Sequence, residues 1–458
     1  MASTSPGYGI TIRVEGAPEL HPVALITSTI TSAGATITAL DVVESLLEKV
    51  VVDVTCDTID ANHAQEIHGA LSAHDGLTVR KVSDRTFLLH LGGKIEVSSK
   101  VPLKTRDDLS RAYTPGVARI SQAIVDDPSD VRRLTMKRNT VAVVTDGSAV
   151  LGLGNIGPSA ALPVMEGKAA LFKRFANVDA WPVCLDTQDV DEIVRTVQLI
   201  APVYGGINLE DISAPRCFEV ERRLRELLDI PVFHDDQHGT AIVVLAALRN
   251  ALKLVKKDIS AVKIIMSGAG AAGTAIARLL ILSGATNIIA FDRDGVICKD
   301  SHSEDSMREW FIQNSNKANF KGSIHEAMSG ADIFIGVSAP NVLNEADIAS
   351  MAAGSIVFAL ANPDPEIDPA IARKYAAVVA TGRSDHPNQI NNVLAFPGIF
   401  RGLLDANAHK ITDKLLVAAA EAIADCVTPS QLNNSFIVPS VFDSNVVTQV
   451  AAAVKKSV

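Results

Sequence analysis

The chain has 458 residues, of which 47% are hydrophobic and 21% charged, and its formal net charge is −10. This length predicts roughly two to four domains, and the composition is typical of a globular protein rather than a disordered one. The acidic balance argues against a general nucleic-acid-binding surface. The N-terminus lacks the basic start and apolar run of a signal peptide, and polar residues interrupt the longest apolar segments, so we expect no membrane span.

Cysteine usage bears on the compartment. The chain has five cysteines and no C-x-x-C pair. An odd number without framework spacing is typical of thiols in a reducing compartment, and we therefore expect a cytoplasmic protein.

The first zone, residues 8–92, alternates short strand and helix patterns. The predicted strands are GITIRVEG, TITALDVVE, KVVVDVTCD and LTVRKVS, and the predicted helices are VALITSTITSAG, which Gly34 ends, and AQEIHGALSAH. The order βαββαβ predicts a ferredoxin-like α/β sandwich. This pattern, with its glycine after the first helix, resembles an ACT domain, a module that binds amino acids or similar small effectors. A structural or dimerising extension is the alternative.

The second zone, residues 93–236, begins with the polar stretch EVSSKVPLKTRDDLS. Short apolar runs that end in Asp or Asn predict strands at NTVAVVTD, AWPVCLD, GGINLED and IPVFHDD. Helical patterns lie between them, for example ALPVMEGKAALFKRFA and DEIVRTVQLIA. This alternation indicates βα units around a largely parallel sheet.

The third zone, residues 237–458, repeats the alternation of strands and helices. A predicted helix, GTAIVVLAALRNALKLV, leads into strands at KIIMSG, NIIAFD, DIFIGV, SIVFAL and AAVVAT. The fold class expected for the chain is therefore α/β, with a ferredoxin-like domain, an α/β domain and a Rossmann-type domain in that order.

A glycine-rich turn in the third zone predicts a dinucleotide site. The segment VKIIMSGAGAAGTAIARLL carries G-x-G-x-x-G at Gly268, Gly270 and Gly273, between a predicted strand and a predicted helix, with Ala272 inside the motif. The first glycine permits the tight turn, the second leaves room for the pyrophosphate and the third lets helix and strand approach closely. Asp292 ends the next strand, nineteen residues after Gly273, where a carboxylate can accept hydrogen bonds from ribose hydroxyls.

The acid at Asp292 favours NAD, because a carboxylate repels the 2′-phosphate of NADP. Arg293 beside it could pair with that phosphate, so NADP stays an alternative. Ser338 and Asn362 follow later strands of this zone, where Rossmann sheets place ligand contacts. A turn or capping role is the alternative for both residues.

Two acidic pairs end strands in the second zone, Glu210–Asp211 and Asp235–Asp236. A single acidic pair at a strand end is usually a solvated cap. Two pairs in apolar, glycine-flanked surroundings indicate a bound cation, because buried carboxylates need cations or donors. Oxygen ligands with few nearby His or Cys suit Mg²⁺ or Mn²⁺.

Two further residues are candidates for proton transfer. Lys168 lies early in a mainly apolar helix, where burial beside a metal would lower its pKa and let it act as a base. A lysine at the surface with its stem along the helix is the alternative. Tyr113 stands in a Pro/Gly turn, and on its own it is better read as a packed aromatic residue with a hydrogen-bonded hydroxyl.

Taken together, these segments resemble malic enzyme of the bacterial type. The resemblance runs from KIEVSSKVPL to the C-terminus and is carried by several motifs in fixed order: AYTPGVA, VLGLGNIGP, LPVMEGKAALFK, GGINLEDISAPRCFE, VFHDDQHGTA, the glycine fingerprint and TGRSDHPNQINNVLAFPG. The preceding DRTFLLHLGGKIEV resembles the join between an ACT domain and this enzyme in some bacterial members.

The resemblance implies a reaction and a role for each candidate residue. The reaction is the oxidative decarboxylation of malate to pyruvate and CO₂ with reduction of NAD(P)⁺. The metal ligands would be Glu210, Asp211 and Asp236. Lys168 would remove the hydroxyl proton, with Asp235 orienting it, and Tyr113 would protonate the enolate of pyruvate. Asn362 and Asn391 would hold the substrate carboxylates or the nicotinamide amide.

The chain departs from the family pattern at two positions. Many larger relatives have an arginine that pairs with a substrate carboxylate where this chain has Val150, so we expect Arg383 to take that role. Asn155 replaces the aspartate that is common in the same motif, and we expect it to tune the enzyme rather than inactivate it.

Two other functions stay open on the sequence alone. A malolactic-type enzyme would keep the hydride and release lactate. An inactive metabolite sensor would lack a metal or proton-transfer residue, and none is missing. The resemblance further implies a homo-oligomer, a dimer or higher, although no interface can be read from the sequence.

Overall fold

The computed structural model describes residues 4–150, 152–301 and 306–458. The chain separates into two compact units, Met1–Val97 and Ser98–Val458.

The first unit is an antiparallel sheet with helices packed on it. Its strands are β1 (Ser5–Gly16), β2 (Thr36–Ser45), β3 (Val50–Thr58) and β4 (Leu77–Asp84). Its helices are α1 (Pro22–Ser32), α2 (Ala61–Ser72) and α3 (Arg85–His90). The spatial order β2-β3-β1-β4, with α1 and α2 after the first and third strands, is the βαββαβ arrangement predicted from the sequence.

Alternating side chains explain this sandwich. Every second residue of β1 from Ile10 to Val14 is buried, as are Val52, Val54 and Cys56 in β3. The apolar stripes of α1 and α2 cover the same face and complete a single core.

The second unit begins with a four-stranded parallel sheet. Its strands are β5 (Thr140–Thr145), β6 (Asp179–Cys184), β7 (Gly206–Leu209) and β8 (Val232–His234), in the spatial order β6-β5-β7-β8. The helices of this part are α4 (Arg106–Ala112), α5 (Gly116–Asp126), α6 (Asp130–Leu134), α7 (Pro158–Ala176), α8 (Val190–Ile200) and α9 (Arg216–Leu227). Every residue of β5, β7 and β8 is buried, which explains why they appear in the sequence as short apolar runs.

The rest of this unit is built on a six-stranded sheet. Its strands are β9 (Lys263–Ser267), β10 (Asn287–Asp292), β11 (Gly295–Val296), β12 (Ile333–Gly336), β13 (Ile356–Ala359) and β14 (Val378–Thr381). The spatial order is β11-β10-β9-β12-β13-β14, parallel except at the short edge strand β11. The order reverses between β10 and β12 on either side of β9, which is where Rossmann-type sheets bind dinucleotides.

Nine helices surround and join the sheets of the described residues after His234. They are α10 (Asp235–Val255), α11 (Ala271–Leu282), α12 (Ser306–Asn314), α13 (Ile324–Met328), α14 (Glu345–Ala349), α15 (Pro369–Ala372), α16 (Phe396–Asp405), α17 (Asp413–Asp425) and α18 (Ser444–Ser457). Among the described helices, α10 alone is long and apolar enough to cross a membrane, but 67% of its apolar window is buried inside the protein. Packing against α11 and α17 accounts for this apolar character.

An aromatic cluster fixes the helices near the ends of β7 and β8. Phe172 on α7 contacts Phe396 and Phe400 on α16 edge-on, with ring centroids 4.7 Å and 5.3 Å apart. Phe233 on β8 contacts Phe400 in the same way at 5.9 Å. These large side chains are fully buried and hold α7, α16 and β8 at fixed positions.

Candidate active site

Four acidic residues meet at the carboxyl edge of the first parallel sheet. Glu210 and Asp211 directly follow β7, and Asp235 and Asp236 directly follow β8 and open α10. The two strands are neighbours and parallel, with Leu209 beside His234, so both acidic pairs leave the sheet at the same edge. The sequence predicted the pairs, and the strand order brings them together.

Three of these acids form a possible metal site. Glu210, Asp211 and Asp236 each present one carboxylate oxygen within 4.8 Å of the others. Glu210 and Asp211 are each only 5% exposed, and Asp211 Oδ2 has no hydrogen-bond partner among the described residues. The backbone N–H of Asp211 donates to Asp236 Oδ2 at 2.9 Å, which fixes the two carboxylates relative to each other. A buried oxygen without a donor fits a cation ligand, and the all-oxygen donor set fits Mg²⁺ or Mn²⁺.

The electrostatics of this cluster also favour a cation. Burial and the neighbouring carboxylates raise the pKa of Glu210 to about 7, that of Asp211 to about 8 and that of Asp236 to about 6. An ordinary carboxyl group titrates near 4, so each proton is retained to higher pH because several negative charges cannot share a buried space. A divalent ion would remove this repulsion.

Lys168 lies between a proposed metal ligand and the remaining acid. Its side chain is 7% exposed, and its Nζ lies 2.5 Å from Asp235 Oδ2 and 3.0 Å from Glu210 Oε1. The ammonium group also sits over the Phe396 ring, 4.1 Å from its centroid. Burial lowers the pKa of Lys168, but the attraction of the two carboxylates outweighs it and the net shift is upward. The surface alternative for this lysine is therefore wrong.

Asp235 is fully buried and anchors the lysine. Burial raises its pKa to about 7 even though the Lys168 charge opposes that shift. Its Oδ2 also accepts a hydrogen bond from the Asn392 side chain, while Oδ1 has no hydrogen-bond partner among the described residues.

Sequence reasoning missed three residues of this cluster. Asn392 donates to Asp235, Phe396 underlies Lys168, and Asn208 Nδ2 donates to Glu210 Oε2 at 2.9 Å. Asn208 could have been found, because it lies two residues before Glu210 and so shares its side of the chain. Asn392 is adjacent to Asn391, which the sequence predicted as a ligand of the substrate or the nicotinamide.

The structure does not bring Tyr113 into this cluster. Tyr113 follows α4 and is 67% exposed, and its hydroxyl has no hydrogen-bond partner in the described part of the chain. Every residue of α4 and α5 is at least partly exposed, including the apolar Leu109, Val117 and Ile120. The role of Tyr113 as general acid therefore stays a prediction.

The glycine motif forms the predicted strand–turn–helix. Gly268 directly follows β9 with φ +107°, and a Cβ there would lie 2.6 Å from the Val337 carbonyl oxygen. A Cβ on Gly273 would lie 1.9 Å from the Gly268 carbonyl oxygen, whereas a Cβ on Gly270 would meet nothing within 4 Å. The first and third glycines are thus required by the fold, and Gly270 faces open space at the start of α11, as a phosphate site needs. Ala272 lies in the first turn of the same helix.

The other predicted cofactor residues have partners within the protein. Asp292 ends β10, with its Oδ2 lying 3.2 Å from Arg308 Nε. Ser338 follows β12, and its hydroxyl lies 2.8 Å from the Ser267 hydroxyl. Asn362 follows β13 and donates to the Leu360 carbonyl at 3.2 Å. All three lie at carboxyl ends of the second parallel sheet, and their contacts with the cofactor stay predictions.

The two remaining candidates for substrate binding, Arg383 and Asn391, differ in whether their donor groups already have partners within the protein. The Arg383 guanidinium forms two hydrogen bonds with Asp385, at 2.9 Å and 2.7 Å, and donates to the Pro363 carbonyl at 3.1 Å. It would have to exchange these partners to bind a substrate carboxylate. Asn391 Oδ1 accepts from the Val393 N–H at 3.0 Å, and its Nδ2 has no acceptor among the described residues.

Comparisons with known proteins cover this whole unit. The malic enzyme N-terminal domain matches residues 92–225, and the malic enzyme NAD binding domain matches residues 237–458. The chain is 56% identical over 445 residues to an NAD-dependent malic enzyme of Geobacillus stearothermophilus, a match that covers 97% of this chain and 93% of the relative. It is 52% identical over 367 residues to a bifunctional malic/malolactic enzyme of Bacillus subtilis, covering 80% and 90%.

Solved structures give the same result. An NAD-dependent malic enzyme from Thermotoga maritima matches with a TM-score of 0.79 at 47% identity, covering 82% of this chain and 100% of that one. A malic enzyme from Pyrococcus horikoshii matches with a TM-score of 0.76 at 49% identity, covering 80% and 86%. With its acidic cluster, buried lysine and glycine turn, the chain belongs to the malic enzyme family.

Proposed function

We propose that the chain catalyses the oxidative decarboxylation of malate to pyruvate and CO₂ with reduction of NAD⁺, and that it requires Mg²⁺ or Mn²⁺. The observation that carries this proposal is the buried contact of Lys168 with Glu210 and Asp235, beside two further carboxylates. The dinucleotide turn on the same compact unit and the NAD-dependent relatives support it.

Glu210, Asp211 and Asp236 would hold the metal through their carboxylate oxygens. A divalent ion held there would supply Lewis-acid chemistry to the oxygens of the substrate. Asn208 keeps Glu210 in place through its hydrogen bond to Oε2, which leaves Oε1 directed towards Lys168.

Lys168 would take the proton of the malate hydroxyl while hydride leaves C2 for the nicotinamide of NAD⁺. The group that must accept this proton is the neutral amine, and the two adjacent carboxylates hold the lysine in its charged form. A cation bound to Glu210 would lower the pKa of Lys168 and favour the neutral amine, because less negative charge would then face Nζ. Asp235 and Asn392 fix the direction of the amine.

Loss of CO₂ leaves the enolate of pyruvate, which must gain a proton at carbon. We assign this step to Tyr113, whose own proton would be renewed through Lys168. Because the residue is exposed in the single chain, its approach requires a movement of α4 or a second copy of the chain. A homo-oligomer is proposed on the same basis. A cytoplasmic location is proposed from the five free cysteines.

Asp292, Ser338 and Asn362 are proposed to contact the cofactor beside the glycine turn. The carboxylate of Asp292 at the end of β10 supports NAD over NADP, since it would repel a 2′-phosphate. Asn391, with a free amide Nδ2, and Asn362 are proposed to bind the substrate carboxylates or the nicotinamide amide, and Arg383 is proposed to bind a substrate carboxylate after exchanging Asp385.

The direct test is an assay of both products. With L-malate, Mn²⁺ and NAD⁺, we expect reduced cofactor and pyruvate in equal amounts, a lower rate with NADP⁺, and loss of both products with EDTA. A folded, metal-loaded protein without turnover would contradict the proposal.

A malolactic activity is the second candidate, because the Bacillus subtilis relative is named as bifunctional. In that reaction the hydride returns to the product, so lactate would accumulate without net NADH. Lactate measured in the same assay separates the two activities.

Metal binding is expected to stabilise the protein more at high pH than at low pH. The folded-state pKa values of about 6 to about 8 lie above those of the unfolded chain, so the metal-free protein loses stability as pH rises through this range. Mn²⁺ competes with those protons, and its stabilisation therefore grows from about pH 6 to about pH 8. Melting curves with and without Mn²⁺ across this range measure it; an equal gain at every pH would contradict it.

Two alanine substitutions in the glycine turn are expected to have different effects. Gly270→Ala leaves the melting temperature nearly unchanged, because its Cβ meets nothing within 4 Å, but it raises the KM for NAD⁺ by about tenfold or more where the pyrophosphate must approach. Gly273→Ala is the matched control, in which the Cβ overlaps the Gly268 carbonyl and destabilises the protein by about 1–3 kcal/mol. Unchanged NAD⁺ kinetics in Gly270→Ala would place the cofactor elsewhere.

We further propose that residues 8–92 form an ACT domain that binds a small effector and regulates the enzyme. The βαββαβ sandwich supports this, and the Geobacillus relative aligns over 97% of the chain and so shares this zone. Removing residues 1–92 is expected to keep malate oxidation and abolish the response to amino acids that act on the full chain. An unchanged response in a soluble truncated protein would contradict the regulatory role.

A further inference from the structure

His234 is a fully buried histidine that the proposed chemistry does not use. It is the last residue of β8 and directly precedes the acidic pair Asp235–Asp236. Its Nε2 lies 3.6 Å from Asp236 Oδ2 and has no hydrogen-bond partner among the described residues. Its other ring nitrogen, Nδ1, lies 3.0 Å from Gln237 Nε2. A buried N–H or lone pair without a partner is rare enough to need an explanation.

The neighbouring amide determines which ring nitrogen carries the proton. An amide nitrogen can only donate, so Gln237 Nε2 donates to His234 Nδ1 and the ring proton is on Nε2. The same amide nitrogen lies 3.3 Å from Glu221 Oε2. A flipped amide would place its oxygen against this carboxylate, which excludes the opposite tautomer as long as Glu221 is ionised.

Arg225 and His238 contact Glu221 on its other side and favour its carboxylate form. Arg225 Nη2 lies 2.8 Å from Glu221 Oε1, and His238 Nε2 lies 2.9 Å from the same oxygen. Burial raises the pKa of Glu221, but the attraction of His238 and Arg225 outweighs it and lowers the pKa to about 2. The backbone N–H of His234 also donates to Glu221 Oε1 at 3.3 Å. Glu221 thus connects Arg225 to the backbone of His234 and, through Gln237, to the His234 ring.

We propose that His234 is a positioning residue for the metal site, whose Nε2–H faces the Asp236 carboxylate and stabilises the orientation in which that carboxylate binds a divalent ion. This inference rests on the proposed function, because it concerns a ligand of the proposed metal. Hydrogen bonds from neighbouring side chains orient ligating carboxylates in metal sites and raise affinity for the ion. Direct binding of the ion by Nε2 is excluded by the tautomer, since Nδ1 would then need a proton while facing the Gln237 N–H.

The test compares two variants of His234 with Mn²⁺ alone as the probe. His234→Leu removes the donor at similar volume and is expected to weaken Mn²⁺ binding by about 10–100-fold, as loss of such partners does elsewhere. His234→Gln carries an amide N–H within reach of the former Nε2 and is expected to restore affinity to within about threefold. Isothermal titration in the absence of malate and NAD⁺ measures both, and melting curves of the metal-free variants check folding.

Enzyme kinetics provide a second measurement, which distinguishes a role in metal binding from a general role in stability. His234→Leu is expected to raise the Mn²⁺ concentration needed for half-maximal rate while kcat at saturating Mn²⁺ changes little. Wild-type affinity in His234→Leu, or equal weakening in both variants, would overturn the inference while the metal site stands. Absence of Mn²⁺ binding by the wild-type protein would overturn the proposed metal site and this role together.

The tautomer can be observed directly in the unmodified protein. With ¹⁵N-labelled histidine, the resonances that His234→Gln removes are expected to show an unprotonated Nδ1 and a protonated Nε2. A protonated Nδ1 would overturn the inference whatever the Mn²⁺ affinities of the two variants.

Discussion

Replacing Lys168 by methionine is expected to lower kcat by about 10²–10⁴-fold, the range that a positioned acid–base group contributes. Methionine keeps an unbranched apolar side chain but removes the amine that lies over Phe396 and faces Asp235 and Glu210. The substitution leaves two buried carboxylates without their cation. Because both already have pKa values of about 7, each can take up a proton, which limits the loss of stability.

Lys173→Met is the matched control for this variant. Lys173 lies on the same helix α7, but its side chain is 56% exposed and pairs with Asp179 at the surface. Surface pairs contribute little, so we expect near wild-type kcat and melting temperature. The measurement is kcat at saturating Mn²⁺, malate and NAD⁺, with NAD⁺ binding as a check on folding. A Lys168→Met enzyme with wild-type kcat would show that another group takes the hydroxyl proton.

Asp211→Asn is expected to have two opposite effects. It should weaken Mn²⁺ binding by at least about 100-fold, because even the loss of a residue that merely orients a ligand costs 10–100-fold. It should also raise the melting temperature of the metal-free protein near pH 8, because a buried charge that repels Glu210 and Asp236 has been removed. Titration calorimetry and melting curves measure the two effects on the same samples.

An acid outside the site serves as the control for this prediction. Glu226→Gln removes an exposed carboxylate that pairs with Arg222 on α9 and should change neither quantity measurably. If Asp211→Asn kept full Mn²⁺ affinity, the ion would bind without this carboxylate. If it lowered the metal-free melting temperature, the repulsion inferred for the cluster would be wrong.

The sequence contains most of the information on the elements that position the site. Strands such as β5, β7 and β8 are buried on both faces, so they are visible as short apolar runs, and acids mark their carboxyl ends. The turn from β9 to α11 is visible because its three glycines have a fixed spacing, and the first and third meet a steric requirement that other residues cannot. These features depend on neighbours in sequence, which is why they could be predicted.

The contacts inside the site depend on packing between distant segments. Asn392 reaches Asp235 across 157 residues, and Lys168 reaches it across 67. Asn392 begins the short turn Asn392–Leu394 before α16, and the packing of that turn against α10 decides that Asn392 rather than Asn391 faces this carboxylate. The exposure of Tyr113 was likewise invisible in its motif. By contrast, the pairing of Arg383 with Asp385 involves residues two positions apart and could have been considered from the sequence.

The central claim is that a divalent ion binds among the carboxylates of Glu210, Asp211 and Asp236 beside Lys168. Anomalous diffraction from crystals grown with Mn²⁺ tests it most directly, because the signal locates the ion without assumption about its ligands. We predict one strong peak bounded by oxygens of Glu210, Asp211 and Asp236, and its loss in Asp211→Asn. A Mn²⁺ peak away from these residues in an enzyme that requires Mn²⁺ would contradict the account.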